Sequence, residues 1–220
     1  MNDTLEQRVN SLRAGVLGSS DGILTTVGII FSLGIASSNK YVILVAGISN
    51  LVACAISMSA GEYNSVTSQK QLEQEITTKE YDRMRKDPES SCKELTQQYM
   101  KKGISQETAE RTVKALRDPV TEILENEYNI EKGHPVSPVQ ATIYSLIFAF
   151  CSGMIPLLFL LLMPSYYVFY AGLIGAITSV TMVALVSSKI SEVHFKKTLL
   201  RNMGLMLLSI LVNGLFGLIL

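Results

Sequence analysis

Asp21 lies inside AGVLGSSDGILTTVGIIFSLG, residues 14–34, the first long apolar stretch of the chain. Of the 19 acidic residues, 15 fall in the polar middle segment from Glu62 to Glu131. Asp3, Glu6 and Glu192 sit in polar flanks, which leaves Asp21 as the acid within an apolar span. A carboxylate at membrane depth is costly, and where one is kept it marks an ion or proton site facing the bundle interior. The competing reading places Asp21 near a helix end, capped by Ser19 or Ser20 and wetted by headgroup water. The second apolar stretch carries Asn50, Cys54, Met58 and Glu62 at i, i+4 intervals, so their side chains stack along one helix face. An amide, a thiol, a thioether and a carboxylate in a row suit the descent of a partly dehydrated cation. The sulfur of Met58 favours a transition metal over Mg²⁺ or Ca²⁺. Cys and Met are also ordinary packing residues, so the row by itself leaves both readings open.

The elements that must hold these residues are membrane spans. A hydrophobic share of 48% and a mean hydropathy of +0.29 are too apolar for an ordinary soluble domain, and the apolar residues come in blocks. The zero net charge conceals strong segregation of charge along the chain. Cys54, Cys92 and Cys151 have no paired spacing, which argues against a disulfide framework or a zinc knuckle. Residues 1–13 form a short polar helix without the apolar core of a cleavable signal. Span one covers about 14–36 and span two about 41–60, joined by a turn so short that they form an antiparallel hairpin. Span three covers about 139–163 with a kink at Pro156, whose freed carbonyl needs another donor. Span four, about 166–186, is rich in small residues that permit close packing, and span five runs from about 203 to 220.

Between spans two and three the pattern is charged and helical. No Pro or Gly interrupts residues 62–87, so span two continues as a stalk until Pro88, where Asp87 is the candidate N-cap. A helix over about 89–102 ends at Gly103, Ser105 caps another to about 117, and Asp118-Pro119 opens a last one to about 130. This three-helix module is too small for a large core, so it should lean on the stalk or on a second subunit. The fold class is therefore an all-α integral membrane protein of five transmembrane helices, with a cytoplasmic three-helix module between spans two and three. Its parts are residues 1–62, 63–136 and 137–220. Arg8, Arg13, the module and the basic 189–201 connector share one side, which the positive-inside rule makes cytoplasmic; Lys40 alone marks the other.

Glutamates on the module helices, Glu80, Glu94 and Glu127 among them, could converge on divalent cations. Interleaved Lys and Arg equally suit a solvated helical face. His134 and His194 sit in separate linkers and read as solvated interfacial residues. No HExxH, P-loop, nucleotide fingerprint or nucleophile–base pair occurs, so no enzyme or primary pump is expected.

RAGVLGSSDGILTTVGII, followed by ILVAGISNLVACAISMSAGEYNSVTSQ, resembles the vacuolar iron transporter (VIT) family. The likeness continues through DPESSCKELTQQYMKKGIS, ILENEYNI and GMIPLL and so covers nearly the whole chain. The resemblance implies a homodimer that moves Fe²⁺, and often Mn²⁺, out of the cytosol in exchange for protons, into a vacuole or, in a prokaryote, across the cell membrane. It implies metal as cargo, no permanently bound cofactor, and no nucleic acid among the partners. By position, Asp21 and Met58 match the intramembrane ligands, and Glu80, Glu94 and Glu127 match glutamates of a metal-gathering module. Asn50 stands where eukaryotic members have a membrane glutamate. Arg83 and Ser91 replace two module glutamates, and Ile123 and Leu124 replace a methionine pair. Arg83 beside Glu80 would repel a cation, which weakens the module site and leaves Asp21 and Met58 intact. The rival reading is a membrane-anchored metal sensor or buffer that binds through the module without transport.

Overall fold

The computed structural model describes residues 5–37, 39–130, 137–191 and 194–219. The described residues are helical apart from short turns, and they divide into two units, residues 1–66 with 136–220 and residues 67–135. Among the described residues, five helices are long and apolar enough to cross a membrane. They are α1 (Leu5–Ala36), α2 (Lys40–Lys86), α6 (Pro138–Leu162), α7 (Val168–Ser191) and α8 (Phe195–Ile219). Between them in sequence lie α3 (Pro88–Lys101), α4 (Gln106–Ala115) and α5 (Pro119–Tyr128).

In the first unit, α1 is the central helix, because its small residues let neighbours approach on several sides. A Cβ at Gly22 would lie 2.2 Å from the carbonyl oxygen of Ala149, and one at Gly18 would lie 2.6 Å from that of Ser145. Both glycines therefore admit the backbone of α6. Gly217 of α8 does the same against the Ser32 carbonyl of α1, at 2.4 Å. Close approach of this kind replaces the hydrophobic driving force that lipid cannot supply. Side chains fill the remaining space: Ile30, Ile43, Leu51, Leu157 and Leu160 form one core, and Ile23, Val27, Ala176, Val180 and Met206 a second.

Pro156 removes an N–H from α6 and orphans the carbonyl of Ser152. The Ser179 hydroxyl of α7 donates to that oxygen at 2.6 Å, as the proline's position requires. Ser152 in turn donates its hydroxyl to the Ser19 carbonyl of α1 at 2.9 Å, so one polar chain ties three helices together. At the other end of the unit, Lys40 Nζ donates to the carbonyls of Leu161 and Met163, at 2.9 and 2.6 Å. These are the last acceptors of α6, where a cation also meets the negative end of the helix.

Several boundaries differ from those read in the sequence. Residues 5–13 are the first turns of α1, since no breaker separates them from span one. Helix α7 runs on to Ser191 and α8 begins at Phe195, so most of the basic connector is helix. Ser187, Thr198 and Asn202 are buried in these helices, while Lys189, Lys196, Lys197 and Arg201 are exposed. Residues 131–136, with His134, lie outside the described residues; His194 is exposed.

The second unit joins residues 67–86 of α2 to α3, α4 and α5. Asp87 caps α3 by accepting from the Ser90 N–H at 3.0 Å, with Pro88 at the first helical position. Gly103 takes φ +89° just past the end, a conformation that favours glycine. Ser105 caps α4. Leu95, Val113 and Ile123 form the core, with Met84 of α2 packed against it, so the small helices do lean on the stalk segment. Tyr81 of α2 and Thr121 of α5 both donate their hydroxyls to Asp118 Oδ2, at 2.8 and 2.9 Å, so this carboxylate joins the stalk segment to the first turn of α5. Asn129, left-handed at φ 53°, ends α5 two residues before the expected stop.

Candidate ion site in the first helical pair

The buried side of α2 is set by Ile43, Gly47, Leu51, Ala55, Ser59, Glu62 and Val66, which recur every three or four residues. Asn50, Cys54 and Met58 flank this face and are half-buried, while Val52, Ile56 and Ser57 point outward. Across from them, Asp21 occupies α1 and is itself half-buried. The Cys54 thiol donates to Asp21 Oδ2 at 3.1 Å, and Thr25 Oγ1 lies 3.6 Å from the same sulfur. The carboxylate is thus held against α2. The alternative of a Ser19 or Ser20 cap does not occur, because both hydroxyls donate to carbonyls one turn back, at Gly15 and Val16.

A second cross-helix contact defines the register. Arg13 Nη2 lies 3.3 Å from Glu62 Oε1, and Glu62 is 7% exposed. Arg13 is eight residues before Asp21 and Glu62 is eight residues after Cys54, so the antiparallel helices keep step over this length. The same step sets Met58 level with Leu17 and Asn50 level with Thr25. Met58 is then one turn, about 6 Å, along α2 from the Asp21–Cys54 contact, and Glu62 is about 12 Å along it. The structure therefore brings Asp21, Cys54 and Thr25 together, keeps Met58 and Asn50 one turn to either side, and holds Glu62 apart with Arg13.

The module glutamates lie in the second unit. Glu80 is 8% exposed and lies 3.8 Å from Arg83 Nη1, and it accepts from the Tyr128 hydroxyl at 3.3 Å. Glu94 pairs with Arg83 through Nη2. Glu127 accepts from Gln98 Nε2 at 3.1 Å. Among the described residues, no three His, Cys, Asp or Glu side chains converge as a cation site would need.

Two participants escaped the sequence reading. Thr25 follows Asp21 by one turn, a spacing that could have flagged it. In the sequence Arg13 counts only toward the positive-inside orientation, although its distance from Asp21 matches that of Glu62 from Cys54. The glycines of GSSDG also do more than flank the aspartate: Gly18 and Gly22 face α6, which leaves Asp21, on another side of the helix, facing α2.

Among the described residues, five helices long and apolar enough to cross a membrane, with a half-buried carboxylate on the first accepting from a thiol on the second, define a multi-pass helical membrane protein. Residues 12–218 match the model of the VIT family. The chain is 34% identical over 179 residues to a protein named Vacuolar iron transporter from Acanthamoeba castellanii, across 80% of this chain and 64% of that protein. It is 38% identical over 69 residues to Vacuolar iron transporter homolog 5 of Oryza sativa subsp. japonica, 31% of this chain and 33% of the relative. Against Vacuolar iron transporter homolog 3 of Arabidopsis thaliana the figures are 39% over 67 residues, 30% and 34%. The chain belongs to the VIT family. It spans a little under two thirds of the length of the Acanthamoeba relative and about a third of the plant ones.

Proposed function

We propose that this chain carries Fe²⁺ or Mn²⁺ out of the cytosol across a membrane, in exchange for protons and as a homodimer. The N-terminus and the helical module face the cytosol in this reading. A hydrated cation reaches the membrane end of the stalk segment, displaces the exposed Arg13 guanidinium from Glu62, and passes Met58, Asp21 and Asn50 along the face shared by α1 and α2. The observation that carries the reading is the half-buried Asp21, within a membrane-length helix, met by Cys54. A carboxylate with a sulfur 3.1 Å away becomes a mixed hard and soft donor pair once the thiol gives up its proton, which suits a first-row transition metal.

That pair supplies fewer ligands than a divalent cation takes. The thioether of Met58, water and a second copy of the chain would complete the set. Two Asp21 carboxylates facing one another across a dimer would repel unless one held a proton, so metal binding would release that proton. Reprotonation from the far side would then reset the carrier. The relatives' names agree with iron as the cargo; Mn²⁺ and proton exchange rest on the motif resemblance.

Reconstitution into proteoliposomes with Fe²⁺, Mn²⁺, Zn²⁺ and Ca²⁺, with and without a pH gradient, tests it. Asp21→Asn should abolish metal-dependent proton flux. Met58→Leu should narrow the preference for Fe²⁺ and Mn²⁺ over Ca²⁺ while leaving thermal stability in place. Undiminished metal flux through Asp21→Asn would remove the mechanism.

A further inference from the structure

We infer that Arg83 takes the place of a metal ion among the carboxylates of the second unit, so that this unit folds without metal and chelates none. The residues that family resemblance would assign to a metal do not fit one here. Arg83 bridges two helices by pairing with Glu80 on its own helix and Glu94 on α3. Its positive charge is held on more firmly than usual, chiefly by Glu94 and then by Glu80 and Glu127. Three carboxylates of this unit also accept from uncharged protein donors. Tyr128 donates to Glu80, Gln98 donates to Glu127, and Tyr99 donates to Glu122 at 2.9 Å.

The other three departures from the family pattern are committed to structure as well. Ser91 is buried, and its hydroxyl donates to the Asp87 carbonyl at 3.1 Å. Ile123 and Leu124, where methionine donors would stand, are each 3% exposed, and Ile123 belongs to the core with Leu95 and Val113. The ligand positions have thus become an ion pair, a helix hydrogen bond and apolar packing. An incoming divalent ion would have to displace a cation tethered to the same helix, whose effective concentration is in the millimolar range or above. Diffuse attraction of cations by the acidic surface is untouched; chelation is what the tethered charge prevents. The inference stands apart from transport through Asp21, and it counts against a sensor or buffer working through this unit.

The test counts Mn²⁺ bound by the full chain in detergent, from loss of the free-ion electron paramagnetic resonance signal. All variants carry Asp21→Asn so that the membrane site does not contribute. Glu80→Gln with Glu94→Gln should leave the Mn²⁺ count unchanged, and chelator should not shift the helix melting followed by circular dichroism. Arg83→Glu should gain one Mn²⁺ per chain, lost again when Glu80→Gln and Glu94→Gln are added. Arg83→Gln, which removes the charge with less repulsion, should gain weaker binding at the same carboxylates. Loss of a Mn²⁺ on Glu80→Gln with Glu94→Gln would overturn the inference. So would a chelator-dependent melt, or no gain in either Arg83 variant. Because no flux is measured, failure here is distinct from failure of the carrier reading.

Discussion

Replacing Gly22 by alanine tests whether the approach of α1 to α6 is as close as the backbone implies. The added Cβ would sit 2.2 Å from the Ala149 carbonyl oxygen and 3.0 Å from its carbon, where ordinary contact begins at 3.4 Å. The obstacle is backbone on a neighbouring helix, so no rotamer change relieves it, and the helices must part by about 1 Å. Overpacking of a well-filled interior costs about 1–3 kcal/mol, and a rigid neighbour puts this site at about 2–3 kcal/mol. For a domain of this size that is a fall in Tm of roughly 4–12 °C. Gly61→Ala is the control, because a Cβ there meets nothing within 4 Å. It removes a helix-disfavouring glycine from α2 and should gain up to about 1 kcal/mol. Thermal denaturation of the two purified variants in detergent should move in opposite directions. If Gly22→Ala melts with the wild type while Gly61→Ala rises, the close crossing of α1 and α6 is refuted.

Two further predictions concern hydrogen bonds. Ser179→Ala should cost about 1–3 kcal/mol by orphaning the Ser152 carbonyl, and less in a Pro156→Ala background, where the N–H gained at position 156 can reach that oxygen; additive losses in the double-mutant cycle would refute the role given to Ser179. The Tyr99 phenol is pushed up by burial and by Glu122, and that of Tyr128 by burial and then Glu80 and Glu127. A raised phenol stabilises the fold fully below its unfolded value, about pH 10, and the contribution is lost as pH rises through the shifted value. Tyr99→Phe should therefore flatten the alkaline fall in helix content of residues 67–135; an unchanged alkaline limb by circular dichroism would count against it.

The amino-acid sequence by itself determined the number of apolar helices, the caps at Asp87 and Ser105, and the need of Pro156 for an outside donor. These are matters of local periodicity and of backbone groups that must be satisfied wherever the chain goes. Asp21 also stood out unaided, because a charge in an apolar run is visible without knowing its neighbours. Which neighbours it has was decided by the tertiary structure. The crossing permitted by Gly18 and Gly22 turns those glycines to α6, and Asp21 then faces Cys54. Antiparallel register, which no single span encodes, sets Arg13 against Glu62 and separates that pair from the carboxylate–thiol contact. In the second unit the sequence could place Arg83 only beside Glu80, one turn away on the same helix. That it also reaches Glu94 depends on how α3 folds back against α2, a contact between residues eleven apart that packing alone creates.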